Sequence, residues 1–222
     1  MDYLSHQNWT FPVPIRYGPG RINELSEICQ NKGIKKPLVV TDNGSKNLKF
    51  IENILTDLEN NHLKPGLFSN ISPNPRDTEI LEGKLNFNKG NYDGIIAIGG
   101  GSGMDGGKAI SLVANNDYDI WDFEWEKTPP VINENNEFPP LICIPTTAGT
   151  GAETESSAMV TDTKLLVKWC IAHPPKTRRQ TRRPMRQQIR AWAENSSANS
   201  SANSSANSAA DSSLGGNWAE NS

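Results

Sequence analysis

The sequence predicts an α/β fold: a Rossmann-like parallel sheet flanked by helices. Short apolar runs alternate with longer segments whose apolar residues recur at helical spacing, which is the pattern of βαβ units. Two of the apolar runs lead straight into glycine-rich segments, GGGSGMDGG from Gly99 and TTAGTG from Thr146. The apolar pattern stops near Pro174, so residues 1–174 are assigned to this domain and residues 175–222 to a disordered tail.

The elements follow in order. Ile22, Leu25 and Ile28 predict an amphipathic helix over Arg21–Lys32, stopped by Gly33. PLVVT at Pro37–Thr41 reads as a buried strand. Leu48, Ile51, Leu55 and Leu58 mark a helix between Ser45 and Asn61. GLFSN at Gly66–Asn70 is a second strand, and Arg76–Lys89 a weaker helix. GIIAIG from Gly94 is the clearest strand, and a helix is expected from Met104 to Ala114. After a loop carrying Trp121 and Trp125, PLICIP at Pro140–Pro145 supplies another buried strand.

Composition narrows the function. The chain is 35% hydrophobic with a net charge of −3, which excludes a dedicated nucleic-acid or membrane-surface binder as a whole. Cys29, Cys143 and Cys170 are too scattered for a disulfide framework or a zinc knuckle. The start, MDYLSHQNWTF, has no secretory pattern and no run is long enough for a membrane span. A cytoplasmic setting is expected.

In parallel sheets ligands bind beyond the carboxyl ends of the strands, where both glycine-rich segments fall. A strand that passes through glycines into a helix aims backbone N–H groups and the positive helix end at one spot, which suits a phosphate. The segment is not a P-loop, because Ser102 stands where that motif needs glycine and Ala109 follows Lys108. Gly101-x-Gly103-x-x-Gly106 meets the Rossmann spacing but starts two residues beyond the apolar strand. Asp42, directly after PLVVT, reads either as a turn former before Asn43-Gly44 or as an acceptor for ribose hydroxyls that would repel a 2′-phosphate. Asp105 and Lys108, three apart on a helix, can pair with each other or serve a ligand.

GGGSGMDGGKA resembles the GGGS-x-x-D-x-x-K segment of the iron-containing alcohol dehydrogenases, relatives of glycerol dehydrogenase and dehydroquinate synthase. PIRYGPGRINEL, PLVVTDNGSK and IPTTAGTGAETESSAMVTDTK resemble further segments of that family in the same order, from Phe11 to Pro174. The resemblance implies a dehydroquinate synthase-like N-terminal domain that binds NAD, followed by a helical domain that holds a divalent metal, Fe or Zn. Carried over by position, it implies Gly100, Gly101 and Ser102 at the cofactor pyrophosphate. It likewise implies Asp105 and Lys108 as the acid and lysine of the same segment, and Thr146, Thr147 and Thr150 on the cofactor from the next loop. Lys168 matches a position that approaches the cofactor in some members. The resemblance also favours Asp42 on the ribose, and hence NAD over NADP.

The family's metal is held by one Asp and three His in its second domain. This chain has His6, His62 and His173, none of them paired, so no metal ligands are expected here. Residues 176–190 are instead arginine-rich, followed by three copies of SSAN, which reads as a change of reading frame or an aberrant gene end. The expected function is NAD-dependent hydride transfer between an alcohol and its aldehyde or ketone, with these residues alone inactive. The rivals are a non-catalytic NAD-binding module and a nucleic-acid-associated protein acting through the arginine-rich segment.

Overall fold

The computed structural model describes residues 7–9, 14–128, 130–132, 138–172 and 186–190, the first and last of these as backbone only. His6, His173 and most of the 175–222 tail therefore lie outside the described residues.

The strands are β1 (Gln7–Trp9), β2 (Ile15–Tyr17), β3 (Pro37–Asp42), β4 (Gly66–Ile71), β5 (Gly94–Gly99), β6 (Leu141–Pro145), β7 (Ser157–Asp162), β8 (Val167–Ala172) and β9 (Arg186–Arg190). The helices are α1 (Leu25–Asn31), α2 (Lys49–Asn60), α3 (Asp77–Gly90) and α4 (Gly101–Val113). Seven strands form one sheet in the order β1-β2-β9-β6-β5-β3-β4, parallel except for β1 against β2. The other two, β7 and β8, make a separate antiparallel hairpin.

Alternation along the central strands builds two cores. Leu38, Val40, Ile95, Ala97, Leu141 and Cys143 face α3 and α4, with Phe87, Met104 and Ile110. Val39, Ile96, Ile98, Ile142 and Ile144 face α1 and α2, with Leu25, Ile28, Ile51 and Leu58. A sheet covered on both faces needs strands that are apolar throughout, and β3, β5 and β6 are buried along almost their whole length. On α2 the buried stripe is Ile51, Ile54 and Leu58, with Leu55 only half-buried, while Leu48 caps the helix and is exposed.

Three expectations change. Arg21–Glu24 forms a 3-10 turn, and α1 begins only at Leu25. The helix expected from Met104 begins at Gly101, inside the glycine run, so Asp105 and Lys108 lie in its second turn. Glycine is a poor helix former, but α4 is buried against the sheet and packing outweighs propensity. The segment IPTTAGTGAETESSAMVTDTK, expected as a threonine-rich loop, contains strand β7, which pairs with β8 in a hairpin.

Within the segment assigned to the tail, the backbone of Arg186–Arg190 pairs in parallel with β6 on one side and β2 on the other. An open sheet edge offers N–H and C=O groups that any extended backbone can satisfy, whatever its side chains. Every described residue falls in the compact unit Met1–Trp192, which runs past Pro174. Among the described residues no helix is long and apolar enough to cross a membrane.

Candidate functional site

The central strands run β4-β3-β5-β6, so the chain moves outward in one direction from β3 and in the other from β5. In open α/β sheets the crevice at such a reversal is the ligand site. Asp42 ends β3 and Gly99 ends β5, and the two strands are neighbours.

Gly99 sits at φ 144°, a conformation that L side chains rarely adopt, and a Cβ there would come 3.1 Å from Asp42 Oδ2. The chain then turns into α4 with Gly100 as its cap residue and no side chain capping the helix. The first N–H groups of α4 are thereby aimed at the mouth of the crevice. The loop after β6 is stitched to this turn by the Thr146 N–H, which donates to Gly99 C=O at 2.9 Å. Thr146, Thr147 and Thr150 are exposed on that loop. A Cβ on Gly100 would lie 3.2 Å from Thr147 Oγ1, and one on Gly101 would lie 3.6 Å from Thr150 Cγ2. Side chains at these two positions would fill the space between the glycine and threonine loops. A cradle that a methyl group would close fits a phosphate-bearing ligand bound through backbone.

The rest of the glycine run does different work. A Cβ on Gly103 would meet the Ile98 carbonyl oxygen at 2.7 Å, and one on Gly107 would collide with Ala97. These glycines let α4 lie directly on β5. The run therefore divides in two: Gly99–Gly101 form the mouth, whereas Gly103 and Gly107 are packing residues.

Asp42 holds both geometries that the sequence left open. Its Oδ1 accepts from the Ser45 N–H at 3.0 Å and its Oδ2 from Ser45 Oγ at 2.9 Å, which is a turn-forming arrangement. The same carboxylate borders the glycine mouth, half-buried, with acceptor capacity remaining on both oxygens.

Asp105 and Lys108 point away from the mouth, toward β7. Lys108 Nζ lies 3.4 Å from Asp105 Oδ1 and donates to the Ser157 carbonyl at 2.9 Å. Asp105 Oδ2 accepts from the Met159 N–H at 3.1 Å. Burial pushes the Asp105 carboxyl above its ordinary value, against the opposing pull of Lys108, the Met159 N–H and Lys168.

Lys168, exposed on β8, reaches the site through a residue the sequence reading passed over. Its Nζ donates to Asn74 Oδ1 at 2.8 Å, and the Asn74 N–H donates to Ser102 Oγ at 3.3 Å. Asn74 has φ 60° and lies between Pro73 and Pro75, in the loop leaving the carboxyl end of β4. That placement was the available signal, since the loops after β3, β5 and β6 all contribute to the crevice.

The described residues do not fit the divalent ion that the resemblance implies. Among them no three His, Cys, Asp or Glu side chains come together as a metal site. His62 is exposed just past α2, away from the carboxyl ends of the strands.

Fold and crevice together define a doubly wound α/β protein whose strand order reverses between β3 and β5. The sequence profile described as iron-containing alcohol dehydrogenase matches residues 12–178, and the chain belongs to that family. It is 34% identical over 172 residues to 1,3-propanediol dehydrogenase of Citrobacter freundii, covering 76% of this chain and 43% of that protein. It is 35% identical over 163 residues to NAD-dependent methanol dehydrogenase of Bacillus methanolicus, covering 72% of this chain and 41% of that one. Among solved structures, a 1,3-propanediol oxidoreductase superposes with a TM-score of 0.68 at 28% identity, covering 85% of this chain and 45% of the other. Sulfoacetaldehyde reductase from Bifidobacterium kashiwanohense, solved in complex with NAD+, gives 0.66 at 26% identity, covering 80% of this chain and 43% of the other. The chain spans less than half the length of these relatives.

Proposed function

We propose that the chain binds NAD across the β3/β5 reversal, as the nucleotide-binding part of an oxidoreductase acting on a small alcohol and its aldehyde or ketone. The observation that carries this reading is the convergence of Asp42, the Gly99–Gly101 turn and the threonine loop on one crevice. NAD, when bound, supplies a hydride acceptor at nicotinamide C4. The chain's own residues bind and orient it. N–H groups of Gly100, Gly101 and Ser102 at the start of α4 take the pyrophosphate. The hydroxyls of Thr146, Thr147 and Thr150 donate from the facing loop, and Lys168 supplies the nearby positive charge. Asp42 accepts from the adenosine ribose hydroxyls and disfavours a 2′-phosphate by like charge. The substrate class follows from the relatives, which include a propanediol and a methanol dehydrogenase. These 222 residues, with three unpaired histidines, are expected to bind NAD without turning over short alcohols supplied with Fe²⁺ or Zn²⁺.

Titration of the whole chain with NADH and NADPH, followed by nucleotide fluorescence, tests the assignment. NADH is expected to bind more tightly, and Asp42→Ala to narrow the preference about tenfold, equivalent to ~1.4 kcal/mol of repulsion. Equal affinities in the unsubstituted chain, or a preference that Asp42→Ala leaves unchanged, would overturn the role of Asp42. No NADH binding at all would overturn the function.

A further inference from the structure

The β7–β8 hairpin is a two-stranded ribbon outside the main sheet, and such a ribbon is marginal by itself. β8 satisfies one edge of β7. The opposite edge presents Ser157, Met159 and Thr161 in alternation, continued by Thr163 just past the strand, and each finds a partner outside the hairpin. Lys108 Nζ donates to Ser157 C=O at 2.9 Å, and the Met159 N–H donates to Asp105 Oδ2 at 3.1 Å. The Thr161 N–H donates to Pro75 C=O at 2.7 Å, and Thr163 Oγ1 donates to Asp77 Oδ1 at 2.8 Å. The bonds a further strand would make are thus supplied by two side chains of α4, by Pro75 before α3 and by Asp77 at its start.

The two α4 side chains are expensive ones. Lys108 is 1% exposed and Asp105 14%, and a buried ion pair repays its desolvation only when its hydrogen bonds are met. Here they are met by backbone groups two residues apart on one strand. Apolar packing alone would hold the hairpin on α4 but would let it slide along the helix; a paired carbonyl and N–H admit one register. That register has a consequence across the ribbon. Thr161 on the clamped strand is paired with Lys168 on β8, and Lys168 Nζ meets Asn74, whose N–H contacts Ser102 in the glycine turn.

We propose that Asp105 and Lys108 are positioning residues that set the register of the hairpin on α4 and thereby hold Lys168 beside the nucleotide cradle, neither of them touching the dinucleotide. This rests on the dinucleotide reading above. It departs from the simple transfer of Asp105 to the cofactor-binding set, because the carboxylate acts through Lys168.

A double-mutant cycle with D105N and K168M, read by NADH titration of the full chain, tests it. Each single substitution is expected to weaken NADH about tenfold, Lys168 by loss of a charged contact and Asp105 as a supporting residue. The double variant should bind no more weakly than K168M alone, because the carboxylate acts only through the lysine. Amide exchange at Met159 and Thr161 should quicken in D105N while β5 amides stay protected. Additive losses, about a hundredfold in the double variant, would show that Asp105 contacts the nucleotide directly and would overturn the proposal. So would D105N binding NADH as tightly as the unsubstituted chain. If D105N does not fold, K108Q takes its place in the cycle with the same expected result. An unsubstituted chain that binds no NADH overturns the dinucleotide reading and this proposal with it, whereas binding with additive losses overturns the clamp alone.

Discussion

The two ends of the sheet use glycine for opposite purposes. At the amino end, a Cβ on Gly66 or Gly90 would collide with the ring of Tyr92. That ring fills the room the glycines leave, and Lys36 Nζ lies 5.3 Å above it while donating to the Gly90 carbonyl. Asp93 then closes the same end by accepting the Lys35 and Lys36 N–H groups at 2.9 and 2.8 Å. At the carboxyl end, Gly99–Gly101 leave comparable room, and the nearest neighbours are Thr147, Thr150, Asp42, Thr41 and the Gly103 backbone, all small or polar groups. One end is sealed by the protein's own aromatic ring; the other is bordered by small and polar groups, which is what the proposed nucleotide site requires. A glycine's role is therefore set by what occupies the volume its missing Cβ leaves.

The largest way to break this contrast is at the sealed end. Gly90→Val forces a branched side chain into the Tyr92 ring, which is already wedged against Gly66, and should destabilise by about 2 kcal/mol. Urea unfolding measures the loss. Without urea the variant should remain folded and bind NADH with unchanged affinity, because the perturbation is at the far end of the strands.

The reverse pattern is expected at Gly100→Val. The backbone there has φ −74°, which a side chain accepts, and the nearest neighbour is the Thr147 hydroxyl in an exposed loop. Stability should change by no more than about 0.5 kcal/mol. NADH affinity should fall at least tenfold, since the side chain occupies the space assigned to pyrophosphate. Equal effects of the two substitutions on binding would erase the distinction between the ends.

The smallest expected effect concerns pH. Burial would raise the Glu24 carboxyl, but hydrogen bonds from Arg21 and from Arg16, the latter at 2.7 Å, hold it below its ordinary value. Its contribution to stability is therefore present above the unfolded value and is lost as pH falls through the lowered folded one. Asp105 has the opposite sign: its raised carboxyl favours the fold below the unfolded value, and that contribution is lost as pH rises through the folded one. Urea midpoints measured between about pH 3 and about pH 6, across the carboxylate range, should flatten on the acid side in E24Q. In D105N the decline as pH rises should be the part that disappears.

Much of the site was legible because it sits at strand ends. Asp42, the Gly99–Gly101 turn and Thr146–Thr150 each follow an apolar run directly, so identifying the strand located the residue. Asn74 follows a strand that was also identified, GLFSN, but the loop after it carries no glycine signal to single the residue out. The hairpin was missed because its strands alternate weakly and its β8 face is largely exposed. The start of α4 was misplaced because propensity argues against a helix opening on Gly-Ser-Gly, and nothing local reveals the β5 surface that stabilises it.

By itself, the sequence determined the alternation of strands and helices, the burial of the sheet on both faces, and the placing of small and polar residues at the carboxyl ends. Those follow from local periodicity and from where apolar runs stop, which are properties of neighbouring residues. Only the tertiary structure decided which glycines open a cradle and which let α4 approach β5, and which way Asp105 and Lys108 face. It also decided that Lys168 meets Asn74, 94 positions away in the chain. Each of these depends on what lies across a few ångströms of space from a distant segment, and spacing along the chain carries no record of that.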